Sequence, residues 1–319
     1  MLSDKNSTCV QMQAIRSTLL LATGGLVLVF SSALAQSATG IPEYKEVDHR
    51  ASLESVQIPS HGAMLNGFVY VASGPNQHPC LILLHGLPGN ERNLDLGQEI
   101  RRAGWDVLYL DYRGSWGTNG EFSFTHAIED VHAAIAFLKS PENARRLHLD
   151  PSRIVLLGHS MGGFLAVQTI AQDHSIRAAI LISAVDMAGS VPSSYPKEYE
   201  GKVLEAITRG IAAQGLSPLS GCTAEGLARE LLANADRWRF VNQADALKDR
   251  SIFILTSDDG FAPGSNALAS ALQSAGDRNV TVQHIATDHY YSEKRLALSE
   301  SILRWLLPMT PRTTLELGR

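Results

Sequence analysis

Residues 156–163 read Leu156-Leu157-Gly158-His159-Ser160-Met161-Gly162-Gly163. The apolar run at 153–157 has the make-up of a buried strand, and the small-residue stretch at 164–171 that of a helix. Between them lies Gly-x-Ser-x-Gly. A strand that turns directly into a helix over so few residues strains the backbone at Ser160. Side chains at 158 and 162 would collide with the neighbouring strand and helix. What results is a serine Oγ held clear of the sheet at a helix start. The N–H of Met161 then points at an oxyanion formed on an attacked carbonyl.

The rest of the chain supplies a sheet for this turn. Residues 55–58 and 64–72 alternate as a hairpin about His61-Gly62. Apolar runs at 81–84, 107–110, 153–157 and 178–184 are separated by helical patterns at 94–103, 125–138 and 164–171. Thr125 is a candidate N-cap, with Glu129 and Asp130 expected in the first turn. Four alternations of strand and helix predict a mostly parallel sheet covered on both faces. Residues 187–250 then hold no strand pattern, only helical stretches at 198–214 and 224–236. The sheet pattern resumes at 252–256, with a helix at 267–275, a last strand at 280–285 and a final helix at 293–307.

Composition narrows the function. The 319 residues carry a net charge of −5, so the basic footprint of a nucleic-acid binder is missing. The three cysteines, Cys9, Cys80 and Cys222, make no disulfide framework. Cys80 opens an apolar strand and reads as a buried free thiol. No Cys/His set has zinc-ligand spacing, and there is no Walker or dinucleotide motif, so neither metal nor cofactor is expected.

Residues 17–42 are uncharged, and Arg16 precedes an apolar run at 19–30 that Ala33-Leu34-Ala35 follows. Those are the parts of a secretory signal, with Met1 or Met12 as its start and cleavage before Gln36. Cleavage leaves no membrane anchor; an uncleaved anchor is the competing reading. The expected layout is a signal peptide at 1–35, a lead-in segment at 36–52, a core at 53–186, a helical insertion at 187–250 and the rest of the core at 251–319.

His85-Gly86-Leu87-Pro88-Gly89-Asn90 follows the strand at 81–84. Together with Gly-x-Ser-x-Gly, this loop resembles the α/β-hydrolase family. The resemblance implies an α/β-hydrolase fold, with helices flanking a mostly parallel sheet and a small helical cap over the site. It implies that the N–H of Leu87 joins that of Met161 as an oxyanion donor, with His85 anchoring the loop. Asp111-Tyr112-Arg113-Gly114 is similar to a loop in many members, including prolyl-oligopeptidase-like peptidases, and reads as a brace.

The family keeps its triad acid after the strand at 252–256, commonly four residues before a proline. Pro263 thereby selects Asp259, with Asp258 and Asp186 as rivals. It keeps its base after the last strand, which selects His289. The implied order is Ser160, Asp259, His289. Serine at 160 sets aside the members that open epoxides or displace halide, which use aspartate there. The implied activity is hydrolysis of a small carboxylic ester through an acyl-enzyme. A prolyl-oligopeptidase-like peptidase or amidase acting on short peptides or amides is the alternative, and a non-catalytic binding protein on the same scaffold stays open. Physiological substrate and oligomeric state have no sequence signature here.

Overall fold

A computed structural model describes residues 49–310. The predicted signal segment, most of the lead-in segment and the last nine residues of the chain lie outside the described residues. The hairpin is β1 (Ser52–Ser60) and β2 (Ala63–Val71), turning through His61-Gly62. The core continues with β3 (His78–Leu84), α1 (Leu94–Arg102), β4 (Asp106–Leu110), α2 (Phe124–Lys139), α3 (Pro141–Arg146), β5 (Leu149–His159), α4 (Met161–Gln172) and β6 (Ala178–Ile182). Then come α5 (Glu200–Ala212), α6 (Ala224–Trp238) and α7 (Ala244–Leu247), followed by β7 (Ser251–Thr256), α8 (Ala262–Ser274), β8 (Val280–His284) and α9 (Arg295–Leu306).

These strands make one sheet in the order β1-β2-β4-β3-β5-β6-β7-β8. β1 and β2 pair antiparallel, β2 meets β4 antiparallel, and every pairing from β4 to β8 is parallel. β3, β4 and β6 are buried at every position because both faces are covered. Cys80, Ile82 and Leu84 of β3 join the core under α2, α4 and α8. Leu81 and Leu83, pointing the other way, join the core under α1 and α9. α4 is buried from Met161 through Ile170, which explains why its sequence carries no polar face.

Three local expectations need correction. Ser123 caps α2, its hydroxyl accepting from the N–H of His126. Thr125 is instead claimed by Glu230 of α6, which accepts from both its N–H and its hydroxyl. Asp130 does not serve the helix dipole in a first turn, which holds no acidic residue. It is fully buried and bonded to Arg113 at 2.7 Å and to Ser60 at 2.6 Å. α3, begun by Pro141 under a Ser140 cap, is a helix the periodicity did not mark.

The region between β6 and β7 has no strand, as expected. α5 and α6 pack on each other there. Cys80 and Cys222 are both free thiols, and burial raises the pKa of each. Among the described residues no helix is long and apolar enough to cross a membrane.

Candidate active site

Ser160 stands between the end of β5 and the start of α4, with φ 59° and ψ −121°. A non-glycine residue held there stores roughly 1–3 kcal/mol of strain. The surroundings enforce it. The Ser160 N–H donates to Ile182 O at 3.0 Å, and its carbonyl accepts from Gly163 and Val185 N–H at 3.0 and 3.1 Å. A Cβ at Gly158 would overlap the Gly162 carbonyl, and one at Gly162 the Leu84 carbonyl, so strand and helix approach this closely only through glycine. At Gly86 a Cβ would come within 2.9 Å of Ser160 Cβ, which puts the loop after β3 directly beside the serine.

That loop is braced from below. The Tyr112 hydroxyl donates to His85 O at 3.1 Å, and Trp116 Nε1 donates to Pro88 O at 2.7 Å. Arg92 stacks over the Trp116 ring at 4.4 Å. The His85 ring lies 4.3 Å from that of Tyr112, with Nδ1 2.8 Å from Gly86 O. Burial, outweighing that hydrogen bond, lowers the His85 pKa to about 4, so the ring is neutral at ordinary pH. Arg113 is itself turned away from the loop, onto Asp130, Glu129 and the His126 carbonyl.

Asp259 and His289 extend from the ends of β7 and β8. His289 Nδ1 is 2.7 Å from Asp259 Oδ2, with the aspartate side chain only 3% exposed and the imidazole 19%. Burial pushes the Asp259 carboxyl up. Hydrogen bonds from His289 and from the Phe261 N–H outweigh it and hold the pKa at about 2. Asp259 is therefore ionised, which fixes the proton of the imidazole on Nδ1 and leaves Nε2 as acceptor.

The two rival acids have other partners. Asp258 is exposed and faces His284 Nε2 at 3.1 Å. Asp186 accepts from the N–H groups of Gly189 and Phe240, at 3.0 and 3.3 Å, and so ties the stretch after β6 to the segment before β7. Burial raises its pKa despite those bonds.

Ser160, His289, Leu87 and Met161 all line one cavity of about 530 Å³. It lies at the carboxyl ends of the parallel strands, where open α/β sheets place ligands. α5 contributes Ile207 and Ile211 to its wall and α6 contributes Leu231, beside Val185 and Met187. The stretch between β6 and β7 thus adds aliphatic surface to the cavity that Ser160 lines. Among the described residues no group of acidic, cysteine and histidine side chains is arranged to hold a metal ion.

Sequence reasoning missed three contributors. His159 bonds to the His289 backbone, and Phe261 and Tyr290 reach the cavity. Their only sequence signal is adjacency to Ser160, Asp259 and His289.

A strand–serine–helix turn, a glycine-bearing loop after β3 beside that serine and an Asp–His pair after β7 and β8 define a hydrolase-type site on a doubly covered sheet. The chain matches the alpha/beta hydrolase family over residues 81–304 and belongs to it. It is 28% identical over 131 residues to the quorum-quenching protein AidA of Acinetobacter baumannii, across 39% of this chain and 41% of that one. It is 29% identical over 157 residues to the proline iminopeptidase PfmaB of Pestalotiopsis fici, across 48% and 49%. The chain thus spans about half the length, or less, of these curated relatives. Among solved structures, an esterase of Pyrobaculum calidifontis superposes with a TM-score of 0.59 at 21% identity, covering 83% of this chain and 87% of that one. At that identity the likeness establishes the fold.

Proposed function

We propose that the protein is an exported serine hydrolase that cleaves small carboxylic esters through an acyl-enzyme, with Ser160, His289 and Asp259 as its triad. The observation that carries the reading is the 2.7 Å His289–Asp259 hydrogen bond, facing the cavity onto which Ser160 opens. In this mechanism His289 Nε2 takes the Ser160 proton as Oγ attacks the ester carbonyl carbon. Asp259 stabilises the imidazolium. The N–H groups of Leu87 and Met161 bind the tetrahedral oxyanion. His289 then protonates the departing alkoxide, and water, activated by the same histidine, releases the acid.

The aliphatic wall from α5 and α6 favours an acyl chain over a charged peptide terminus. Glu91 and Asp186 both reach the cavity, but Glu91 accepts from the Asn93 N–H and Asp186 from two backbone donors. The iminopeptidase relative supports peptidase or amidase action as the second reading. Export rests on the uncharged stretch at 17–42 and Ala33-Leu34-Ala35.

The test is fluorophosphonate labelling of the purified protein, with the adduct mapped by mass spectrometry, beside p-nitrophenyl esters and aminoacyl and prolyl anilides. Labelling at Ser160 with ester turnover that Ser160→Ala abolishes is expected. A folded protein that labels nowhere and turns over nothing refutes the reading. Faster turnover of anilides than of esters moves it to the peptidase.

A further inference from the structure

A histidine that protonates a leaving group must stand within about 2.6–3.2 Å of the departing oxygen. The rest of the alcohol therefore lies against whatever borders that imidazole. Two large rings do so from the cavity side. The Phe261 ring centroid is 5.3 Å from that of His289 at an interplanar angle of 66°, and the Tyr290 centroid is also 5.3 Å away, at 75°. Both residues line the cavity, and both are exposed, Phe261 by 40% and Tyr290 by 47%. Elsewhere the large aromatics are mostly in the core: Phe124, Phe164, Trp238 and Phe240 are fully buried. Two exposed aromatic rings, each packed edge-on against the His289 ring, offer the cavity apolar surface that a ligand can cover.

The backbone that carries these rings is held in place beforehand. The Phe261 N–H donates to Asp259 Oδ1 at 2.9 Å, and the Tyr290 carbonyl accepts from Arg295 at 3.1 Å. Their backbones are thereby fixed to the acid of the Asp–His pair and to the first residue of α9. A ligand ring entering beside them meets side chains carried on backbone that is already ordered.

Resting on the serine-esterase reading above, we propose that Phe261 and Tyr290 form a subsite for an aromatic group on the alcohol side of the ester, so that the preferred substrates are aryl or arylmethyl esters. The acyl part meets the aliphatic wall of α5 and α6, and the leaving part meets aromatic faces. Each edge-to-face or stacked contact contributes roughly two- to tenfold in affinity over an alkyl contact of equal area.

The probes are benzyl hexanoate and cyclohexylmethyl hexanoate, which share the acid and have leaving alcohols of similar size and basicity. The readout is the ratio of their kcat/KM values. Wild type is expected to favour the benzyl ester by about tenfold. Phe261→Leu and Tyr290→Leu each lower that ratio about threefold, through KM more than kcat, and Tyr290→Phe preserves it. Both sites are at the surface, so all three variants are expected to fold. A wild-type ratio near one, or a ratio that neither leucine variant moves while both esters turn over, overturns the aromatic subsite and leaves the esterase standing. No turnover of either ester and no labelling of Ser160 overturns both.

Discussion

His159 Nε2 donates to the backbone carbonyl of His289 at 2.9 Å, and the two imidazole rings lie 4.7 Å apart. The residue before the serine therefore fixes the loop that carries the Asp–His pair. Nδ1 of His159 is buried without a hydrogen-bond partner, so the bond to His289 is the one it contributes. His159→Phe keeps the ring volume and deletes the donor. We expect kcat to fall about 10- to 100-fold, the scale for a slightly misplaced catalytic group, with KM for a short ester little changed. His159→Gln, which retains a donor, recovers part of the loss. Wild-type kcat in His159→Phe would show that packing alone holds the loop.

The same burial makes stability depend on pH. His159 has its pKa lowered to about 4, first by desolvation and then by the neighbouring His289. Buried His85 is likewise lowered to about 4. Unfolded, each titrates near 6.5. Between those values the unfolded chain binds more protons than the folded one, so acid destabilises, by about 1.4 kcal/mol per pH unit for each group. Urea midpoints should fall as pH drops from 6.5 to 4, and the slope should shrink in His159→Gln. Asp259 acts lower. Its pKa is depressed from 3.8 to about 2, so its contribution is present above pH 4 and is lost as pH falls from 4 to 2. A flat urea midpoint from pH 7 to pH 4 contradicts the burial argument.

The three aspartates make distinguishable predictions. Asp259→Asn leaves a side chain of the same shape that no longer favours Nδ1–H on His289, and kcat should fall on the order of 10³- to 10⁴-fold without loss of fold. Asp258→Asn touches only an exposed pair with His284 and should stay within about twofold of wild type. Asp186→Asn weakens the acceptor for Gly189 and Phe240 and should lower the melting temperature more than kcat. If Asp186→Asn proves the most damaging to kcat, the acid lies one strand earlier.

Much of this was legible because some positions admit few residues. Gly158, Gly162 and Gly86 sit where a Cβ has no room, and such positions spell a motif. Strands buried on both faces spell continuous apolar runs, so β3 to β7 could be placed. Contacts between distant segments leave no such mark. Glu230 of α6 accepts from the Thr125 N–H and hydroxyl, where an N-cap reading makes that hydroxyl an acceptor within its own helix. Asp130 looks like a dipole residue until Arg113 is placed over it. Phe261 and Tyr290 read as ordinary loop residues, because only the fold brings them to His289.

The Asp111–Gly117 loop should prove structural. Arg113 is 7% exposed and Asp130 fully buried, with 2.7 Å between Nε and Oδ1. Arg113→Met leaves the carboxylate buried with only Ser60 and the backbone N–H of residue 113 as donors. The expected cost is about 3–5 kcal/mol in urea unfolding. Replacing both partners by apolar residues should recover much of it. Activity per folded molecule should change little, since Tyr112 and Trp116 hold the loop after β3. A specific activity that collapses while stability is kept would place Arg113 in the chemistry instead.

Gly210 on α5 lines the cavity, and a Cβ built there meets nothing within 4 Å. Gly210→Leu adds a branched side chain at a helix position that lines a cavity of about 530 Å³, without a backbone clash, and within a helix it costs no propensity. The melting temperature should hold or rise. Hydrolysis of p-nitrophenyl esters should shift to shorter acyl chains, with kcat/KM for octanoate falling at least about tenfold and that for acetate or butyrate within about threefold of wild type. Each methylene excluded from an apolar wall costs about 0.8 kcal/mol, or roughly fourfold, so losing two to three accounts for that shift. An unchanged chain-length profile would mean that the acyl group binds away from α5, and the aliphatic wall would then have to be assigned to the alcohol.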